Sequence, residues 1–249
     1  MAKICHFSTV HKRYDTRILL KECSYLTKNN HKVFLFISDG NGNEVYNNVN
    51  IIDIGLSTKK WNTQRLKRFF YSSFRILKAI LKSKYDYYHF HDPELIFIGY
   101  LLKLLGKKVI YDIHEDISLQ ISQKTYIPNF LKKTFLNVFC FFENYFASRF
   151  YYLVTATPSI KERFRAYNNN IICVNNYPII DELKLKKTVK KEKAICFVGW
   201  MTFDRGIYQL VKAVEGLDIK LHLVGKIWHD YEEKELRKLD GWSNVIYHG

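Results

Sequence analysis

The sequence predicts an α/β protein built on doubly wound parallel sheets, and three observations support this fold class. Short apolar runs typical of buried strands alternate along the chain with longer segments whose apolar residues recur at helical spacing. Parallel strands need such helical connections. The third observation is size, because 249 residues with 47% hydrophobic content suffice for the core of one large or two smaller domains.

The clearest strand, helix, strand unit lies in the middle of the chain. Residues 85–91 and 108–114 are strand patterns, and the helical pattern between them, at 94–105, is followed by Gly106 as a C-terminal cap. The strands of such a unit lie parallel, and ligands bind outside their carboxyl ends. We therefore expect one sheet edge to collect the polar residues that follow the two strands, namely His91, Asp92, His114, Glu115 and Asp116.

The N-terminal region shows the same alternation. Strand patterns occur at 3–8, 33–38 and 51–54, and the second of these is the unbroken apolar run expected of a buried parallel strand. Asp15 is a candidate N-cap for a helix at 16–28. This order of elements places the N-terminal region in the same doubly wound sheet.

Two long helical patterns are rich in aromatic residues. The pattern at 59–84 mixes aromatic residues with cations, which is typical of an ordinary covering helix or of a helix held at an anionic membrane surface. The pattern at 128–150 is apolar for a surface helix, but its charged residues leave too short an apolar stretch for a membrane span. We expect it to dock on lipid or on a partner. Strands at 151–156 and 171–174 flank a helix at 159–166.

We divide the chain into an N-terminal Rossmann-like domain at 1–177, a lysine-rich linker at 178–193 and a second Rossmann-like region at 194–249. The second region has roughly 55 residues, which are too few to bury a sheet on both faces, so we expect an incomplete domain. Its strand patterns lie at 194–198, 219–224 and 245–248, and its helical patterns lie at 206–216 and 231–239.

The charge and the cysteines limit the partners and the location. A net charge of +15 predicts attraction to phosphorylated ligands, an anionic membrane or nucleic acid. We expect no nucleic acid, because no RNA-binding signature occurs and the cations lie on helices beside aromatic faces. Five scattered cysteines without a Cys-x-x-Cys pair indicate buried thiols in a reducing compartment, and the N-terminus shows no signal-peptide pattern. The sequence therefore predicts a cytoplasmic protein, on the inner face of the membrane if the aromatic helices bind lipid.

A metal site is one alternative interpretation of the histidines. His89 and His91 share a strand face, and with Asp92 and His114 they would provide the ligands of a metal-dependent hydrolase. Because His-x-His occurs often by chance, we expect no metal among the catalytic groups.

Four ordered segments resemble bacterial glycosyltransferases of family 4, which have the GT-B fold of two Rossmann-like domains. The segments are 10–23, 89–95, 109–116 and 197–207, followed by Leu223-Val-Gly225. The resemblance implies transfer of a sugar, with retention of anomeric configuration, from a UDP- or GDP-linked donor to a saccharide or lipid-linked acceptor in cell-surface polysaccharide or glycolipid assembly. It implies no cofactor beyond the nucleotide-sugar substrate.

The resemblance also implies roles for individual residues. His114 matches a histidine near the reacting sugar, with Glu115 or Asp116 orienting it, although a structural histidine at a strand end is the alternative. Arg205 and Gly206 stand where a helix start and a guanidinium would meet the donor diphosphate, and Trp200 replaces a second arginine that the family often has. The other donor-side candidates are Gly199, Gly225 and Lys226, and the acceptor-side candidates are His11, Asp15, Thr16, Arg17 and His91.

The resemblance also bears on the activity of this chain. Family members carry a paired-glutamate motif that grips the donor, and residues 244–249 do not provide it. We therefore expect little transferase activity from this chain alone. A second polypeptide that completes the domain, or a role as a non-catalytic subunit, is the alternative.

Overall fold

The computed structural model describes residues 1–55, 65–118, 129–180 and 191–249, and the chain divides into two compact units, Met1–Pro178 and Ile179–Gly249. The start of the basic helix predicted at 59–84 and most of the linker predicted at 178–193 lie outside the described residues. The division into a domain at 1–177, a linker and a domain at 194–249 stays a prediction.

The first unit is organised around an eight-stranded sheet with the order β3-β4-β2-β1-β5-β6-β7-β8. Every neighbouring pair is parallel except β3 and β4. The chain winds outward in both directions from β1, so the predicted doubly wound topology is confirmed and its switch point lies between β1 and β5. The strands are β1 (Lys3–Phe7), β2 (Lys32–Ile37), β3 (Glu44–Tyr46), β4 (Val49–Asp53), β5 (Tyr87–Phe90), β6 (Val109–Ile113), β7 (Tyr152–Thr155) and β8 (Ile171–Cys173).

Two of the predicted helix-terminal signals of this unit are confirmed. Asp15 accepts hydrogen bonds from the backbone N–H groups of Arg17 and Ile18, as an N-cap does. Gly106 follows the central helix with φ 72°, the left-handed conformation expected of a C′ glycine. The helical segments are a π-helical Thr16–Cys23 continued by α1 (Ser24–Lys28), then α2 (Arg65–Ile80), a 3₁₀ turn Pro93–Leu95 continued by α3 (Ile96–Leu104), α4 (Asn129–Ala147) and α5 (Pro158–Arg165).

Two apolar clusters cover the two faces of the sheet. One contains residues of β1, β5 and β6 with α2, α3, α4 and α5, and the other packs the Thr16–Cys23 segment onto β2 and β4. The prediction of buried thiols is confirmed for Cys5 and Cys23 only, because Cys140 and Cys173 are partly exposed and Cys196 is exposed.

The second unit contains a three-stranded parallel sheet with the order β11-β10-β9. Apolar residues of α6 and β10 form its core, including Ile207, Val211 and Leu221. β9 leaves Ile195 and Val198 exposed, at 41% and 73%, as expected of a region too short to cover both faces. The elements are β9 (Ala194–Val198), α6 (Ile207–Ala213), β10 (Lys220–Val224), α7 (Asp230–Leu236) and β11 (Val245–Tyr247).

Within the described residues, no helix has the length and apolar character needed to cross a membrane.

Candidate active site

A network of histidines and carboxylates lies at the carboxyl edge of β1, β5 and β6. The register places His6 of β1 beside His89 of β5. His91 follows β5 and His114 follows β6, so the switch point collects four imidazoles in one place. His6, His89 and His91 are buried, while His114 keeps about one seventh of its side chain exposed, at 15%.

Asp112 is the centre of this network. Its carboxylate is fully buried and accepts hydrogen bonds from Arg17 Nε at 3.1 Å and Arg17 Nη2 at 2.8 Å. The same carboxylate contacts His114 Nε2 at 2.7 Å and His91 Nδ1 at 3.1 Å. Burial alone would raise the pKa of Asp112, but the contacts with the two imidazoles outweigh it and hold that pKa well below its usual range. Asp112 is therefore an anion that fixes three neighbouring side chains.

This anion fixes the tautomers of the histidines. Because a carboxylate only accepts hydrogen bonds, His91 Nδ1 and His114 Nε2 both carry hydrogen and donate to Asp112 Oδ2. In neutral His91 the other nitrogen, Nε2, is then an acceptor, and it lies 3.1 Å from His6 Nδ1, which donates to it. Burial is the largest cause that lowers the pKa of His6 and of His91, so both rings are neutral. The chain of bonds leaves His6 Nε2 with a bare lone pair in the interior.

A second carboxylate, Asp92, holds the loop after β1. It is fully buried and accepts hydrogen bonds from Ser8 Oγ at 3.0 Å and from Thr9 Oγ1 at 3.0 Å. His11 of this loop lies with Nε2 3.5 Å from Asp92 and with Nδ1 3.2 Å from Asp15. The His11 ring is 4.8 Å from the His114 ring, centroid to centroid. The loop therefore brings His11 to the edge where His114 lies.

Two open cavities flank His114 and Glu115, which line both of them. The first, of about 400 Å³, is also lined by His11, His91 and Asp92. The second, of about 550 Å³, is also lined by Asp15, Thr16, Arg17, Thr157 and Asn175. Each has the size of a small-ligand pocket with a few converging polar groups.

The structure places the predicted acceptor-side residues at these cavities. The guanidinium of Arg17 differs from the prediction. It is buried, at 5% exposure, and is bonded to Asp112 and to the carbonyl of Val174 at 2.6 Å. Arg17 lines the second cavity, but its guanidinium is bonded within the protein and holds the network together.

Two further expectations about carboxylates are corrected. Asp116 accepts hydrogen bonds from Arg163 Nη1 at 2.8 Å and from Ser118, so Asp112 is the carboxylate that orients His114. Asp92 is bonded to the Ser8 and Thr9 segment and does not share the predicted metal site with His89, His91 and His114. Sequence reasoning missed Asp112, although a charged residue inside the apolar strand pattern Val-Ile-Tyr-Asp-Ile is itself a signal of a buried polar contact.

In the second unit the donor-side candidates lie on the turns after β9 and β10. Gly199 and Gly225 are in contact, and a Cβ on Gly225 would lie 2.2 Å from the Gly199 carbonyl oxygen. Arg205 and Lys226 are exposed, and Gly206 adopts φ 77° immediately before α6. Trp200 packs edge-on against Trp228 with the ring centroids 4.7 Å apart. These two turns therefore provide two cations, and their backbones approach each other closely at the two glycines.

His11 gives a pH-dependent prediction. Burial lowers its pKa, but the bond to Asp15 and the charge of Asp92 outweigh burial and raise that pKa above about 6.5. The contribution of protonated His11 to the stability of the fold is therefore at its full size below about pH 6.5. It disappears as the pH rises through the pKa of His11 in the folded protein. Its size is under about 1 kcal/mol, because the pair with Asp15 is partly exposed. An NMR titration of the imidazole should show the raised pKa, and Asp15→Asn should lower it. A His11 pKa below about 6.5 in the wild type would contradict this.

Comparison with known structures shows which fold the chain has. Sucrose-phosphate synthase from Thermosynechococcus elongatus matches with a TM-score of 0.70 and 14% identity, covering 100% of this chain and 70% of that one. The catalytic domain of starch synthase IV from Arabidopsis thaliana, bound to ADP and acarbose, matches with a TM-score of 0.64, 9% identity and coverages of 99% and 73%. A lipopolysaccharide outer core galactosyltransferase matches with a TM-score of 0.59, 15% identity and coverages of 99% and 68%. The fold is that of the GT-B glycosyltransferases.

The family follows from the sequence itself. The model of Glycosyltransferase Family 4 matches residues 16–176, and the chain belongs to this family. The resemblance that the sequence motifs indicate is thereby confirmed, and the protein is a glycosyltransferase. None of the curated proteins matches the chain.

Proposed function

We propose that this protein is a retaining glycosyltransferase of cell-surface polysaccharide or glycolipid assembly, which moves a sugar from a UDP- or GDP-linked donor to a saccharide or lipid-linked acceptor. The observation that carries this proposal is the partly exposed His114, held by the buried Asp112 beside two cavities of sugar size. Because its Nε2 donates to Asp112, neutral His114 presents Nδ1 as an acceptor. That nitrogen hydrogen-bonds a sugar hydroxyl, and the bond to Asp112 fixes the orientation of the ring.

The second unit supplies the groups that a nucleotide diphosphate requires. Arg205 and Lys226 are exposed cations on neighbouring turns, suited to charge-assisted hydrogen bonds with phosphate oxygens. Gly199 and Gly225 lack side chains where the backbones of the two turns come closest, which allows the turns that carry the two cations to lie side by side. As sugar–phosphate cleavage proceeds, the two cations stabilise the negative charge that develops on the leaving diphosphate.

His114→Ala is the variant that tests this function. We expect it to lower the rate of sugar transfer by about 100-fold or more, because the proposed hydrogen bond to the reacting sugar is lost. Labelled UDP- and GDP-sugars are incubated with a bacterial lipid fraction and excess protein, since turnover by this chain alone should be slow. The anomeric configuration of the product is read by NMR.

The control for this experiment is His248→Gln, which alters an exposed imidazole of the second unit paired with His222 at 2.9 Å. It should transfer at the wild-type rate. An inverted product, or a His114→Ala rate equal to that of the wild type, would refute the proposal. Hydrolysis of phosphoesters that depends on added Zn²⁺ would favour the metal-dependent hydrolase instead.

Of the two acceptor classes, we propose the lipid-linked one, because an apolar cavity adjoins the first pocket. The apolar cavity, of about 400 Å³, shares Pro93, Glu94 and Ile117 with the pocket at His114. Its other walls come from α3 and α4 and carry exposed aromatic and aliphatic side chains, which are favourable contacts for an acyl or prenyl chain. These side chains, with their exposures, are Phe97 at 53%, Phe135 at 57%, Val138 at 51% and Phe142 at 45%.

The same surface carries a prediction about membranes. Vesicles with anionic lipid should bind the protein more tightly than zwitterionic vesicles, because the chain carries +15 and the apolar surface is exposed. Phe135→Ser with Phe142→Ser should weaken binding about tenfold or more, measured by vesicle flotation. Tyr25→Ser, which alters a side chain 68% exposed on α1, is the matched control and should bind as the wild type does. Equal losses in both variants would contradict a docking role for this surface.

A further inference from the structure

We propose that His6, Glu22, His89 and His91 form a buried binding site for a transition-metal ion of the Zn²⁺ type. One donor atom from each of the four residues lies within 4.8 Å of the others. Three imidazoles with one carboxylate form a donor set that borderline divalent ions prefer. In a tetrahedral zinc site with bonds of about 2.0–2.1 Å, neighbouring donors are roughly 3.3 Å apart, so the side chains need to close by only about 1.5 Å or less.

The unpartnered atoms of the cluster are the second observation. Among the described residues, His6 Nε2, His89 Nε2 and Glu22 Oε2 are buried and have no hydrogen-bond partner, while Glu22 Oε1 lies 3.1 Å from Arg17 Nε in an ion pair. Buried polar atoms normally have partners, and three unsatisfied atoms in one place would together be costly. A metal ion satisfies lone pairs of this kind, whereas another side-chain acceptor does not.

The hydrogen bonds around the cluster supply lone pairs rather than hydrogens. Asp112 fixes the proton of His91 on Nδ1, which leaves His91 Nε2 as an acceptor, and His6 Nδ1 donates to it at 3.1 Å. That bond occupies the His91 lone pair, so an ion that takes His91 Nε2 requires His6 in its other tautomer, with hydrogen on Nε2 and the lone pair on Nδ1. The two donor atoms are then already 3.1 Å apart. The bond from His91 to Asp112 is the carboxylate contact that commonly orients a metal-bound histidine.

The position of the cluster indicates a structural role. His6 and His89 lie opposite each other on β1 and β5, and Glu22 comes from the helical segment that packs over the sheet. An ion held by these residues would fasten both strands to that segment beneath the pocket at His114. His114 is not one of the four ligands, although His91 also belongs to a second group with Asp112 and His114, so we assign the ion a structural role and not a place in sugar transfer.

Metal content after folding tests the proposal, since the buried site has to load as the chain folds. The 249-residue chain without an affinity tag is unfolded in denaturant with a chelator, freed of both, and refolded with Zn²⁺ or without metal. We expect about one Zn²⁺ per chain after exhaustive dialysis, and a melting temperature about 5–10 °C higher at a hundredfold excess over the dissociation constant. Refolding with Co²⁺ should give the visible absorption of a tetrahedral site, a measurement that needs no variant.

Three variants locate the ion. Glu22→Gln keeps the shape of the side chain and should weaken Zn²⁺ binding about 100-fold or more, whereas His248→Gln should leave it unchanged because His222 and His248 form a separate exposed pair. His114→Ala should also leave Zn²⁺ binding unchanged. Loss of the ion in His114→Ala with retention in Glu22→Gln would assign it to the group of His91, Asp112 and His114 and overturn the proposal. A folded wild-type chain without stoichiometric Zn²⁺ or the Co²⁺ spectrum would overturn it as well, leaving a buried water as the occupant.

Discussion

Asp112→Ala should destabilise the first unit by about 3–5 kcal/mol, the cost of leaving one partner of a buried ion pair without the other. Asp112 is fully buried, and Arg17 is buried with its guanidinium forked onto both carboxylate oxygens. Without the carboxylate, the Arg17 charge stays in the interior, and His91 and His114 lose the acceptor that fixes their rings. Hydrogen exchange of peptides from β5 and β6 in increasing urea measures this loss without assuming that both units unfold together.

A control and a double variant show whether the lost stability comes from the broken ion pair or from a general loss of packing. Asp218→Ala removes a carboxylate that pairs with Lys193 at the surface, where both side chains are mostly exposed, and the exchange profile should stay that of the wild type. Arg17→Met in the Asp112→Ala background removes the buried guanidinium charge that has lost its carboxylate partner. The double variant should therefore be more stable than the sum of the two single losses predicts, by at least about 1 kcal/mol. An additive result would show that Glu22, 3.1 Å from Arg17 Nε, already satisfies the guanidinium.

The order of the elements was predictable because local signals determine it. Asp15 caps the helix that follows it, and Gly106 adopts the left-handed conformation that ends the central helix. The antiparallel strand β3 was not predicted, because three residues are too few for a periodic pattern. Asn47 and Asn48 were the available signal, since both have positive φ, at 48° and 62°, and form a two-residue hairpin turn between β3 and β4.

The site was predictable only in part, because its main contacts join distant parts of the chain. The sequence places His91 and His114 after neighbouring strands, and the structure brings them to one edge as expected. Arg17 and Asp112 are 95 positions apart, and no local pattern relates them. Likewise, His6 faces His89 only because β1 pairs with β5 in one register, and a shift of one residue would turn the two imidazoles to opposite faces.

Gly225→Ala should destabilise the second unit by about 3–5 kcal/mol, because two separate costs add at this position. Gly225 has φ +123°, a conformation that side chains rarely adopt, and the new Cβ would lie 2.2 Å from the Gly199 carbonyl oxygen. This carbonyl belongs to backbone that is itself bonded, since Gly199 N–H donates to Val224 O at 2.9 Å, so it cannot move away freely. Separation of the two turns would also disturb the cations Arg205 and Lys226 that we assign to the donor diphosphate.

Tryptophan fluorescence in a Trp61→Phe background measures this loss within the second unit, because the remaining three tryptophans, Trp200, Trp228 and Trp242, all belong to it. Gly199→Ala is the matched control, since Gly199 also has positive φ, at +138°, but a Cβ there meets nothing within 4 Å. It should cost about 1–2 kcal/mol, for backbone strain alone. The difference between the two urea midpoints therefore isolates the contact between the turns. Equal midpoints would show that Gly225 and Gly199 separate without cost and that their close approach does not stabilise the second unit.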